Sequence, residues 1–253
     1  MRPPRRPVAR RGGLGLLVLA ALAVSSPPPA AGAVRPWFAQ TVRRLRAGDE
    51  AGGGDYWISY TSATVRGSAW SLRGSVSWLE REGGEFPDRS GWGAVYLTAG
   101  RRLWSSRSAD GPTITGGWVR VRGKLPLRDE ASALGSGEAD WGAGLAASVR
   151  HRRLLLFAEA GYLDLGEPAG VDYRGLLTGS VTASLHPRSL PFYPVVGVLA
   201  ASPSSEGEPA YAELSAGVGF RALGRATLTI LGSAGLTGAS PEAGASVTLG
   251  LGP

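Results

Sequence analysis

The sequence contains no cysteine. It therefore has no disulfide, no thiolate metal site, no cysteine nucleophile and no lipid-modified N-terminal cysteine of the bacterial lipoprotein kind. Asparagine is also absent, lysine occurs once, as Lys124, and histidine twice, as His151 and His186. After the first 33 residues no apolar run approaches the ~20 residues that a membrane-spanning helix needs. Helical periodicity is scarcely visible anywhere. The 253 residues allow one or two domains, and 43% hydrophobic content excludes a disordered chain.

Positive charge is abundant but misleading. The formal charge of +7 suggests an anionic macromolecular partner such as nucleic acid. Yet Arg2, Arg5, Arg6, Arg10 and Arg11 all precede residue 12, leaving 22 basic against 20 acidic residues beyond them. These arginines, the apolar run 14–24 and the small-residue stretch 30–33 have the three-part layout of a secretory signal. A cleaved leader over 1–33 and a mature domain over 34–253 are expected, with no nucleic-acid partner. The prolines at 27–29 and the shortness of the apolar run argue against a permanent helical anchor.

Glycine is plentiful, 39 residues without a three-residue period, which excludes collagen and favours short strands joined by tight turns. Two-residue alternation runs through most of the chain. Over 68–79, Trp70, Leu72, Gly74, Val76 and Trp78 share one face, and Ser71, Arg73, Ser75 and Ser77 the other. Over 139–150, Trp141, Ala143, Leu145, Ala147 and Val149 oppose Asp140, Gly142, Gly144, Ser148 and Arg150. The runs 173–185, 210–221, 225–235 and 242–251 repeat the pattern.

Alternation alone fits a soluble β-sandwich as well as a membrane barrel. Segment spacing favours the barrel. Candidate strands fall at 36–46, 55–65, 68–79, 91–101, 113–124, 139–150, 153–163, 173–185, 191–200, 210–221, 225–235 and 242–251. They predict an all-β, transmembrane, antiparallel up-and-down barrel of about twelve strands, within a range of ten to twelve. Connections alternate long and short, as in membrane barrels, although 102–112 is long for its class. Seventeen of the 20 acids lie in or beside the long loops, while the short turns carry Arg66, Arg150, Arg152, Arg153, Arg188, Arg221 and Arg225. Two rims of opposite sign are expected, the acidic one outermost, although lipopolysaccharide phosphates favour a cationic outer rim unless divalent ions bridge the two.

Trp70 and Trp78 share a face eight residues apart, about 26 Å along a strand and roughly 20 Å once tilted, close to the ~25 Å apolar band that aromatic girdles flank. Trp57, Trp92, Trp104, Trp118 and Trp141 also fall toward strand ends, and the set is expected to contribute to the girdles.

Two stretches carry a family resemblance. The run 119–145, with Lys124-Leu125-Pro126 followed by Gly135, Gly137 and Asp140, resembles the central hairpin of the transporter-like outer-membrane barrels associated with the meta-pathway of phenol degradation. The closing run 236–251 resembles the last hairpin of that family. The resemblance implies a twelve-stranded barrel that passes small, hydrophobic compounds. One departure is the ending Leu251-Gly252-Pro253, where such barrels usually finish on an aromatic residue read by the assembly machinery.

Catalytic patterns find little support. The Gly-x-Gly at 135–137 lacks a following helix whose N-terminus could hold phosphate. His151 and His186 lie at expected turns among arginines, where a solvated role is favoured over that of a base for serine. No enzyme activity, metal or cofactor is expected. The residues expected to line a lumen are Arg73, Arg120, Arg122, Lys124, Glu159, Arg174 and Glu213, which either border a water-filled path or pair to plug it. The expected function is an outer-membrane channel for small hydrophobic or anionic solutes, in contact with outer-membrane lipid and lipopolysaccharide and inserted by the barrel-assembly machinery. The alternatives are a bracing or partner-binding envelope barrel, a soluble periplasmic sandwich and, last, an envelope lipase.

Overall fold

The computed structural model describes residues 35–47, 53–84, 88–109, 111–127, 138–166, 173–222 and 225–252. The expected leader lies outside them. Twelve strands follow in chain order: β1 (Arg35–Arg46), β2 (Asp55–Arg66), β3 (Trp70–Glu82), β4 (Arg89–Arg107), β5 (Thr113–Pro126), β6 (Asp140–His151), β7 (Leu154–Asp164), β8 (Leu176–Leu185), β9 (Phe192–Ala201), β10 (Tyr211–Ala222), β11 (Ala226–Gly235) and β12 (Ala243–Leu251). Each pairs antiparallel with its sequence neighbour, and β1 pairs with β12, closing the sheet. Closure leaves no sheet edge with unpaired backbone groups, the condition for placing strands in lipid. It also excludes the open two-sheet sandwich. The described residues contain no helix.

The inner face is identified by contacts that skip strands. Arg43 on β1 reaches Glu213 on β10 although β12 and β11 stand between them, a span that closes only along a chord through the interior. The pairing registers then fix the remaining strands, because residues directly opposite share a face. The alternating sets read from the sequence keep their sides. Trp70, Leu72 and Trp78 on β3, Leu145 on β6 and Leu177 and Val181 on β8 are exposed on the outside.

The outside is a girdled apolar band. At the long-loop end Trp57, Trp78, Trp92, Trp141 and Tyr162 are exposed, with Trp78 and Trp92 edge to face at 5.3 Å. At the short-turn end Trp70, Trp104 and Phe192 are exposed. Leu72, Leu97, Val121, Leu145, Val181 and Val196 fill the space between. Leu145 is 62% and Leu177 65% exposed, far from any core, which water would not tolerate over so continuous a surface but hydrocarbon favours. The protein has a transmembrane β-barrel fold.

Three expectations need correction. Residues 102–107 belong to β4, so the overlong connection shrinks to 108–112. The cause is a register shift between Arg102 and Trp104, which breaks the alternation and hides the strand in the sequence. β8 begins at Leu176, not at 173. Trp118 faces inward, opposite Ala146 and Arg102, and takes no part in a girdle.

Candidate functional site, a cationic lumen

The inner face of β5 is a ladder. Trp118, Arg120, Arg122 and Lys124 occupy alternate positions, so their side chains project into the interior one pleat apart. Arg120 and Arg122 both donate to Glu159 on β7, gripping its two carboxylate oxygens over the intervening β6. Gly142 and Gly144 of β6 face the same interior and leave that path free of side chains. Arg120 also lies 5.1 Å from the Phe157 ring centroid, a cation–π contact that fixes the guanidinium over the apolar part of β7. Lys124 pairs with Asp140 at 2.7 Å near the long loops.

Arg73 on β3 projects into the same space and donates to Ser62 Oγ at 3.3 Å. It has no carboxylate partner among the described residues. Its registered neighbour across β4 is Thr98, which in turn registers with Arg122. Arg73, Arg120 and Arg122 thus share one wall with a single acid, Glu159. In a ring of twelve strands β11 stands diametrically across from β5. The facing wall carries mostly small or neutral side chains at mid-height, Ser215 and Gly217 on β10, Thr229 and Leu231 on β11, Ser246 and Thr248 on β12, with the Arg43–Glu213 pair beside them.

Glu213 is buried and accepts from both Arg43 and Tyr211. Arg43 was not legible as its partner, 170 residues away, although its position two residues beyond Thr41 on the inner face of β1 was available in the sequence. Arg174 lies outside β8. It is exposed and pairs with Glu206 of the following long loop at 3.0 Å, so the seven expected residues do not form one constellation.

The short-turn end holds His186. Its Nδ1 accepts from Arg221 at 2.7 Å, its ring stacks on Tyr193 with centroids 4.4 Å apart, and its Nε2 lies 2.9 Å from Ser184 Oγ. An arginine can only donate, so the proton sits on Nε2 and is directed at the serine. Burial, then Arg221 and Arg150, hold the imidazole below its ordinary value. A catalytic pair needs the reverse, a carboxylate on Nδ1 and a base at Nε2. His151 contacts Thr113 at 2.8 Å. Among the described residues no three His, Asp or Glu side chains cluster as metal ligands would.

The fold and the interior define a class: a twelve-stranded transmembrane barrel with an arginine-rich inner wall. Among solved structures the chain is similar to an outer-membrane channel from Pseudomonas putida F1, with a TM-score of 0.62 and 11% identity over 90% of this chain and 100% of that one. It is also similar to the β-domain of a Bordetella autotransporter, with a TM-score of 0.50 and 13% identity over 87% and 98%. Identities this low carry the fold alone. No protein-family model matches the chain. No curated protein matches it either.

Proposed function

We propose that the protein is an outer-membrane channel for small anionic solutes, exported through the leader 1–33 and inserted by the barrel-assembly machinery. Its girdled band takes outer-membrane lipid and its loops meet lipopolysaccharide. One observation carries the reading: Arg73, Arg120 and Arg122 share one inner wall with Glu159 as the acid that pairs with them, so that wall keeps an excess of positive charge. Fixed cations along a low-dielectric passage raise the local concentration of anions and repel cations. The outer-membrane channel among the similar structures supports the assignment to that membrane, as does the family resemblance of 119–145 and 236–251. Passage of hydrophobic compounds, which that resemblance implies, is supported by apolar inner-face side chains such as Leu155, Phe157, Leu199 and Leu231.

A bracing barrel is the second reading, favoured by the strand-skipping pairs Arg43–Glu213 and Arg120–Glu159, which tie distant staves together. Planar-bilayer recording separates the two. The channel reading requires stepwise conductance increments when folded protein is added. A bilayer that stays silent while protein demonstrably inserts supports the bracing role and overturns the channel.

A further inference from the structure

Arginines at the two ends of the barrel differ in company. At the long-loop end Arg44 pairs with Asp55, Arg46 with Glu242 and Arg174 with Glu206. At the short-turn end Arg150, Arg152, Arg153 and Arg188 have no carboxylate partner among the described residues, and all four line one pocket of about 560 Å³. The remaining lining is neutral: Gly111, Pro112 and Ile114. Asp110, the one acid in the adjoining turn, lies outside the described residues.

The turns hold this arrangement firmly. β6 and β7 are joined by Arg152 and Arg153 alone, and Arg152 takes a left-handed φ of 51° that lets so short a connection close. Arg152 N–H donates to the Pro112 carbonyl at 2.9 Å, which ties this turn to the one before β5. Four like charges fixed around a pocket repel one another, and a solute of opposite sign relieves that repulsion. The pocket borders the inner face at the short-turn rim, because two of its lining residues, Ile114 and Arg150, are directly opposed inner-face residues of β5 and β6. Above Ile114 the same face of β5 continues through Gly116 to Trp118, Arg120, Arg122 and Lys124.

We propose that this pocket binds a small organic oxyanion carrying two or more negative charges, at the foot of the cationic ladder. The volume exceeds what a single phosphate fills and matches the ~300–1,000 Å³ range of small-molecule sites. Guanidinium groups recognise carboxylate and phosphate alike, through paired N–H donors. The ligand is taken as a soluble solute and not a phospholipid headgroup, because the lining includes the inner-face residues Ile114 and Arg150 and no residue of the girdled exterior. The inference rests on the channel reading for the origin of its ligand, but binding is measured without conduction.

The test is calorimetric titration of citrate trianion into the folded full-length mature barrel in a zwitterionic detergent, with a parallel titration of short-chain phosphatidylglycerol. Citrate should bind, more weakly as salt is raised. The triple variant Arg152→Gln, Arg153→Gln, Arg188→Gln should bind it about tenfold more weakly or worse. A control variant carrying Arg44→Gln, Arg46→Gln and Arg174→Gln should bind as the parent does. Heat-modifiable gel migration establishes that each variant is folded. Citrate affinity unchanged in the triple variant, or binding of the phospholipid without binding of citrate, overturns the proposal. Citrate binding by a barrel that is silent in bilayers would defeat the channel reading and leave the pocket standing; conductance without citrate binding would do the opposite.

Discussion

Arg43 on β1 and Glu213 on β10 are ion-paired through the interior, over the two strands that separate them in the sheet. The partners are unequally shielded, at 27% and 8% side-chain exposure. Removing either leaves the other unpaired, and an orphaned charge costs most where water reaches it least. Arg43→Met should therefore lower unfolding free energy by about 3 kcal/mol, the lower part of the range for a broken buried pair. Glu213→Gln should cost about 1 kcal/mol, since Arg43 can turn to lumen water and the amide still accepts from Tyr211. Urea titration in lipid vesicles measures both; equal losses would show that the two ends are equally solvated.

Leu145 and Leu228 face outward, and Thr178 and Thr229 face inward, by the registers of β6, β11 and β8. A charge on the lipid face at mid-membrane costs about 2–4 kcal/mol, whereas one in a water-filled interior is solvated. Leu145→Arg and Leu228→Arg should each reduce folding into vesicles by that amount. Thr178→Arg and Thr229→Arg should fold nearly as the parent does and change conductance. Equal harm from both classes would contradict the assignment of faces, since a one-residue slip exchanges them all.

The His186 imidazole is neutral in the fold and held below its ordinary value, chiefly by burial and then by Arg221 and Arg150. The unfolded chain therefore takes up a proton at higher pH than the folded barrel. Stability is complete above the unfolded value of 6.5 and falls as pH drops from there through the lower folded value. Protonation also ends the ability of Nδ1 to accept from Arg221. Urea midpoints should decline between about pH 7 and pH 5 in the parent, and decline less in His186→Gln. The same slope in both would place the acid sensitivity elsewhere.

Most strands were legible because one face is apolar, and a period of two survives almost any choice of residue. β1 is the exception, since its outward face carries Gln40, Arg44 and Arg46 and its run also fits a short helix. Where the period broke, so did the reading. Arg101-Arg102-Leu103-Trp104 shifts register within β4, so Leu103 and Trp104 fall on successive, not alternate, outward-exposed positions and the end of the strand passes for a loop. Tyr173 and Arg174 alternate as strand residues do, yet β7 and β9 end at Asp164 and Ala201, and Arg174 N–H donates to the Ser204 carbonyl of the loop beyond β9. Trp118 was grouped with the girdle by residue type, although the inward Arg120 and Arg122 on alternate positions place it inside. For the site, parity identified the inward charges on β3, β5, β7 and β10. It could not identify which charges pair, because Arg43 and Glu213, or Arg120 and Glu159, meet over intervening strands, at separations set by closure of the barrel and not by local sequence.

The central claim is that solutes pass along a wall of fixed arginine charge, and the reversal potential across a planar bilayer under a salt gradient tests it most directly. The parent should show the sign of an anion-selective path. Arg120→Gln with Arg122→Gln should move the potential toward cations, because Glu159 keeps its charge while losing both partners. A parent that selects cations, or a double variant with an unchanged potential, would contradict the account.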